Sequence, residues 1–198
     1  LRQGQLPLVG FVPGDIQTFD GLVDQDGQIV FRSSLEYSEG VMDLVNQGCD
    51  FYYYTHRDIS PVLEAAGRML VQVYGLRERF FHFEFFRVGP DQFVPLEVNM
   101  RPPGGLTTDM WNFANDFDIY RGYADIVVDN HFDAPEIAPY HCAYFSRRNG
   151  RNYTHTHEQI LATFSTLICS HSPISGVFAA ALGDYGYLAR SPELGDLA

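Results

Sequence analysis

The 198-residue chain has no lysine; all 13 of its basic residues are arginine. Set against 25 acidic residues, they leave a net charge of −12 and a pI near 4.8. A balance this acidic argues against nucleic-acid and acidic-membrane partners, which need a basic face. No apolar run approaches the about 18 residues of a membrane span. The apolar stretch 176–183 is short and reads as a buried strand. Cysteine is scarce: Cys49, Cys142 and Cys169 are odd in number and widely spaced. They read as free thiols of a reducing, cytoplasmic compartment rather than a disulfide framework. Cys142, within Cys142-Ala143-Tyr144-Phe145, reads as core, where free cysteine is commonly found. No secretory signal pattern, internal repeat or low-complexity tract is visible.

What is present is ample apolar material, 45% hydrophobic and 15% aromatic, enough for a globular core in one or two domains. Residues 6–11, 16–23 and 28–35 read as successive strands, broken by Pro13-Gly14 and by the turn Gln25-Asp26-Gly27. Residues 37–50 are acidic and poorly periodic and read as a loop. Residues 51–54 are strand-like. Asp58 or Ser60 is placed to cap a helix with Pro61 in its first turn, running to about residue 74. Its apolar positions Val62, Leu63, Ala66, Met69, Leu70 and Val73 fit the 3.6-residue period. Helices are expected over 106–114 and 117–128, with Thr107 and Asp116 as caps. Pro135 and Pro139 mark a boundary. Beyond it the pattern predicts a strand over 141–148, a helix over 157–167, and a hairpin of 177–182 with 185–189.

The most informative residues lie in one hairpin. From Phe80 to Val88 the residues alternate, with Phe81, Phe83 and Phe85 on one face and His82, Glu84 and Phe86 on the other. Gly89-Pro90-Asp91-Gln92 is turn chemistry. A second strand, from Phe93, ends in Leu96-Glu97-Val98-Asn99-Met100-Arg101. Glu97, Asn99 and Arg101 share a face, and Val98 and Met100 point to a core. With Val88 opposite Phe93 across a four-residue loop, Glu84 falls opposite Glu97 and His82 opposite Asn99. Facing carboxylates repel on a bare sheet. A divalent cation between them reverses the sign. Mg²⁺ takes one or two carboxylates together with substrate phosphates, and Asn99 adds a neutral oxygen. Arg101 is suited to grip a phosphate or a developing oxyanion. The plainer alternative is a solvated Glu84 and a surface pair between Arg101 and Glu97.

Phe83-Glu84-Phe85, then Glu97-Val98-Asn99-Met100-Arg101-Pro102-Pro103-Gly104-Gly105, resembles the metal-binding hairpin of the ATP-grasp superfamily. Upstream, Phe11-Val12-Pro13-Gly14 and residues 19–30 resemble its hinge strand and following hairpin. The resemblance covers roughly residues 5–130. It implies an α+β fold: an antiparallel sheet with helices on one side, as in the second ATP-grasp lobe (residues 1–134), then a small α+β tail subdomain (135–198). It implies a ligase that uses ATP and Mg²⁺ to activate a small carboxylate as an acyl phosphate for attack by an amine, thiol or other nucleophile. Glu84, Glu97 and Asn99 would be the metal ligands and Arg101 the stabiliser of transferring phosphate. Gly10 and Val12 would offer hinge backbone groups to adenine.

The departures are specific. The superfamily's first lobe supplies lysines and a glycine-rich loop, and neither occurs here. The chain therefore reads as the C-terminal part of a longer protein, inactive alone, its other lobe a partner and a homo-oligomer an open question. The hinge usually carries an acidic residue near Val9 or Gly10, which here are apolar. The competing class is a non-catalytic metal-binding or assembly module. Lesser candidates are the imidazoles of His155-Thr156-His157 as a metal pair, against a polar surface loop. The turn Arg147-Arg148-Asn149-Gly150-Arg151 is suited to touch a carboxylate or phosphate, against a solvated turn. Arg32 is placed on the expected cleft side.

Overall fold

The computed structural model describes residues 12–38, 50–133 and 138–197. Among them nine strands form one antiparallel sheet: β1 (Asp15–Val23), β2 (Ile29–Ser33), β3 (Leu35–Tyr37), β4 (Tyr52–Thr55), β5 (Arg79–Gly89), β6 (Gln92–Asn99), β7 (His141–Arg147), β8 (Ile168–Pro173) and β9 (Tyr185–Ser191). The order is β6-β5-β1-β3-β4-β7-β9-β8, with β2 also on β1. The helices are α1 (Pro61–Val73), α2 (Thr107–Asn115), α3 (Ile119–Asp129), α4 (His157–Thr163) and α5 (Ala179–Leu182). The class is α+β, as the strand and helix patterns imply. No helix among the described residues is long and apolar enough to cross a membrane. The expected strand 6–11, Gly10, Cys49 and most of the loop 37–50 lie outside the described residues.

The helices cover both faces of the sheet, not one. Cross-strand partners share a face, so Phe19 with Phe83 and Gly21 with Phe81 define one side. There Phe19, Val23, Phe81, Phe83 and Phe85 pack with Leu63, Val71 and Leu76. α1 can approach this closely because residue 67 is glycine: a Cβ there would stand 2.0 Å from the Phe19 ring. On the other side Leu22, Phe31 and Phe80 pack against Trp111 of α2 and Ile119 and Ile126 of α3. Strand β5 is apolar on both sides at this end, which is why a one-sided arrangement fails.

The single strand expected over 28–35 is two. At Ser34 the pairing with β1 is interrupted, and the Thr18 hydroxyl accepts from the Leu35 amide at 3.0 Å in place of a ladder bond. Only part of α1's apolar pattern is buried: Leu63, Gly67 and Val71 face the sheet, whereas Val62, Met69 and Val73 are exposed. Ser60 occupies the N-cap position without a side-chain capping bond, and its buried hydroxyl lacks a partner among the described residues. Asp118, rather than Asp116, caps α3, accepting from the amides of Tyr120 and Arg121. Asp116 instead closes α2 in the left-handed region, φ 53°.

The boundary expected between 134 and 135 falls outside the described residues. On either side of it the sheet runs on, because β4 pairs with β7 through Tyr53 and Tyr144. Leu35 and Tyr53 share a core with Cys142, Tyr144 and Leu188 beneath Met110 and Ala114 of α2. Cys142 is fully buried, as its apolar context predicts. The expected strand 177–182 is not one. Val177 and Phe178 are exposed, and the alanine run that follows forms the short α5. The partner of β9 is instead the unforeseen β8. An apolar run without alternation is ambiguous between strand and helix, and Ala-Ala-Ala-Leu favours the latter.

Candidate functional site

On the α2 side of the sheet the apolar cover stops short of the β5–β6 edge, leaving a polar window. Its floor is β1 and β5, where Asp20 pairs with His82 and Thr18 with Glu84. Its rim is the edge strand β6, where Asn99 pairs with His82 and Glu97 with Glu84. Glu84 and Glu97 are thus directly opposed on one face, Asn99 two residues on. Cβ atoms of such pairs stand about 4.5–5.5 Å apart.

The register holds for a reason the sequence concealed. The turn is two residues, Pro90-Asp91, with Gly89 opposite Gln92. Val88 is an extra residue on β5, so Arg87 rather than Val88 faces Phe93, and Leu96 is an extra residue on β6, between the Pro95 and Glu97 pairings. One bulge on each strand shifts the register in opposite senses. They cancel, and Glu84 meets Glu97 where a bulge-free four-residue loop would also have put it. Val98 packs towards the Phe83 core, whereas Met100 is exposed rather than buried.

Beneath the carboxylates lies a buried ionic chain. His82 Nδ1 is 2.6 Å from Asp20 Oδ1, and its Nε2 is 3.1 Å from Glu84 Oε1. The Thr18 hydroxyl donates to the other Asp20 oxygen. Burial alone would lower the imidazole's pKa. The Asp20 carboxylate and the bonds to Asp20 and Glu84 outweigh it and lift His82 to about 10. Asp20, wholly buried, is raised from 3.8 by desolvation, against the pull of His82. The proton belongs on His82, which carboxylates flank on both sides. His82 therefore fixes the orientation of Glu84, much as outer partners orient metal ligands.

Asn99 contributes an amide whose buried Nδ2 has no hydrogen-bond partner among the described residues. Arg101 does not pair with Glu97; its guanidinium is exposed and bonds the Pro102 carbonyl at 2.9 Å. Behind it, Tyr37 is held well above its usual pKa by burial first and then by Asp20, Tyr53 and Glu84, with Arg101 opposing. The chain leaves β6 through Gly104-Gly105 into α2. Gly105 has φ +66° and passes Tyr53, whose hydroxyl would lie 3.2 Å from a Cβ there. That position needs glycine on both counts.

Two carboxylates and an amide make an all-oxygen donor set, which suits a hard cation such as Mg²⁺. Among the described residues no three His, Cys, Asp or Glu side chains form a metal cage by themselves. The donor set therefore fits a cation that draws its remaining ligands from a phosphate or water. The sequence pattern places His82 opposite Asn99 on this face, as the structure does. Asp20 and Tyr37 enter the window only in the structure, and the one sequence signal for Asp20 is a lone carboxylate in an apolar strand.

The other expected positions lie elsewhere. Val12 is half-buried and irregular just before β1, whose first residue, Asp15, pairs with Arg87 near the turn end of β5. Arg32 is not on the cleft side. It lies within β2 opposite Gly21, on the α1 face, 3.5 Å from Glu64. His155 and His157 do not pair. Thr156 caps α4 with a capping box, and His157 Nδ1 meets the Tyr187 hydroxyl at 2.7 Å while its ring packs on His171. Arg147 lies over the Tyr153 ring, 4.2 Å from its centroid.

No protein-family profile matches the sequence, and no curated protein matches it. By structure the chain is similar to the phosphoribosylaminoimidazole carboxylase ATPase subunit from Aquifex aeolicus (TM-score 0.69, 12% identity, 94% of this chain and 54% of that one). It is similar to L-amino acid ligase from Bacillus licheniformis (TM-score 0.68, 10% identity, 94% and 49%). It is also similar to a carboxyaminoimidazole ribonucleotide synthase from Aspergillus clavatus complexed with ATP (TM-score 0.61, 11% identity, 95% and 48%). The chain thus spans about half the length of these solved structures, and its fold is that of the part of each that it covers.

Proposed function

We propose that the chain is the metal- and phosphate-binding part of an ATP- and Mg²⁺-dependent ligase, which activates a small carboxylate as an acyl phosphate for attack by an amine or another nucleophile. The observation that carries this reading is the direct opposition of Glu84 and Glu97 on one face of an edge hairpin, with Asn99 beside them. Glu84, Glu97 and Asn99 would hold Mg²⁺, which when bound supplies charge neutralisation for the triphosphate. Arg101, exposed at the window's rim, would meet the transferring phosphoryl group, and with no lysine in the chain that role falls to arginine. Gly10 and Val12 would present hinge backbone groups to adenine. Chemistry of this kind rests on positioning and charge neutralisation rather than on a nucleophilic side chain.

Two measurements test this. Mn²⁺, a paramagnetic substitute, should broaden the resonances of Glu84, Glu97 and Asn99 before any others. Glu97→Gln should remove that broadening and, in the intact protein, most ATP-dependent turnover. Broadening centred elsewhere ends the metal assignment. Turnover unaffected by the substitution ends the ligase reading and leaves a non-catalytic binding module.

A further inference from the structure

Strand β2 pairs with β1 and, among the described residues, has no neighbour on its other side. Along that free edge, the segment from Thr55 to Ile59 that leaves β4 and the C-terminal end of α2 enclose a cavity of about 570 Å³. Its floor carries three polar side chains that are more than nine-tenths buried, Ser33, Thr55 and Asn115. The Ser33 hydroxyl makes no hydrogen bond among the described residues. Thr55 Oγ1 accepts from the Cys142 amide at 2.9 Å, which leaves its own hydrogen to donate. Asn115 Nδ2 donates to the Trp111 carbonyl at 2.8 Å, which leaves its Oδ1 to accept. Buried polar groups cost stability until each finds a partner. The floor thus sets hydroxyl donors beside a carbonyl acceptor.

The charges around this floor balance. Arg32 and Arg57 stand against Asp58 and Glu64. Arg32 Nε lies 3.5 Å from Glu64, while Arg57 directs Nε and Nη1 to the carbonyls of Ala138 and Pro192. His56 is held by Glu36 at 3.1 Å. An anion entering here would meet two carboxylates, and a cation two guanidinium groups. A neutral ligand meets neither penalty. Hydroxyl is a neutral group that both donates and accepts, which is what the floor asks for. Val30, Ile59 and Ala114 add apolar wall for carbon faces. Pockets that take small ligands run from about 300 to 1,000 Å³. This one has room for a sugar ring with bridging water.

We infer that this cavity is a binding site for a neutral monosaccharide, its hydroxyl groups on Ser33, Thr55 and Asn115. The site shares no residue with the polar window, so it stands or falls independently of the ligase reading. The experiment titrates the whole chain with glucose and with ribose, following the methyl NMR signals of Val30 and Ala114. Glucuronate and glucosamine, the anionic and cationic counterparts of glucose, are titrated alongside. Glucose or ribose should shift these signals to saturation, and the better of the two should bind about tenfold more tightly than either charged sugar. Ser33→Ala, which removes one hydroxyl from the floor, should weaken that binding about tenfold. Ile59→Trp, which fills the cavity, should abolish it. The methyl dispersion of each variant checks that it has folded. The inference is overturned if neither neutral sugar moves these signals, if a charged sugar binds as tightly as the better neutral one, if Ser33→Ala leaves the affinity unchanged, or if the shifts survive Ile59→Trp.

Discussion

The two faces of β5 differ in kind. Phe81, Phe83 and Phe85 stand wholly buried on one side, in a core closed by α1. On the other, Phe80 is followed by His82 and Glu84, which form an ionic chain with Asp20 under an open window. The first face gains free energy with every atom removed from water, about 25 cal/mol per Å² of apolar surface. The second costs stability, since a buried ion pair seldom beats an apolar pair of similar size. One strand carries both, and the apolar side fixes the strand that presents the ionic side. A fold-stabilising face and a chemical face can thus share a backbone when their residues alternate.

This contrast can be broken from either side. Phe83→Ala should be the most damaging substitution, costing about 3–5 kcal/mol in chemical denaturation because it opens a cavity in a closed core. Asp20→Ala should cost about 3 kcal/mol by removing the buried partner of His82 and leaving Glu84 as its one carboxylate. Asp20→Asn, which keeps the volume and one acceptor, should cost less. If Asp20→Ala proves neutral, the ionic chain is not held as described.

Towards the open side the effects should shrink in stability and grow in binding. Glu97→Gln, at an exposed edge position, should change stability by no more than about 0.5 kcal/mol while removing the Mn²⁺-induced broadening. A large loss of stability there would mean that Glu97 is structural. The smallest effect concerns the far end of the phenylalanine face, where Arg87 lies 3.3 Å from Glu36 and His56 lies 3.1 Å from the same carboxylate. The His56 hydrogen bond is the main cause that lowers the Glu36 pKa below 4.5, with burial opposing and Arg87 assisting. A carboxyl lowered in the folded state adds stability that is complete above its unfolded value and is lost as pH falls through the folded one. Acid unfolding of Glu36→Gln should accordingly be shallower below about pH 4.5 than that of the native chain; identical profiles would remove the group from the account.

How much of this could be read from the residues depended on distance along the chain. The β5–β6 hairpin is local, so alternation and turn chemistry placed Glu84 opposite Glu97, with two cancelling bulges preserving a register derived from the wrong loop length. Asp20 and His82 are 62 positions apart, and nothing local signals that β1 lies against β5. The same limit hid Tyr37, which reaches the window only because β3 follows β2 along β1. Arg32 lies on the side opposite to the one its place in the sequence suggests, because the face of a strand depends on its partner's register, which for β2 is set by β1. In the C-terminal stretch the apolar run 177–182 has the pattern of a strand but forms α5, while β8, rich in serine and bounded by Pro173, carries little apolar signal.

Pro95 has a consequence for how the molecule behaves among others of its kind. Among the described residues strand β6 ends the sheet, and an open edge invites a second chain to add a strand and continue the ladder. Proline offers no amide hydrogen to such a neighbour, and the bulge at Leu96 beside it breaks the regular spacing an incoming strand would need. Val94 and Leu96 are exposed there, and would otherwise make this edge adhesive. The strand that lines the polar window is thereby guarded against fibril-like stacking by the same irregularity that sets its register, and its approach stays clear for solutes rather than for copies of itself.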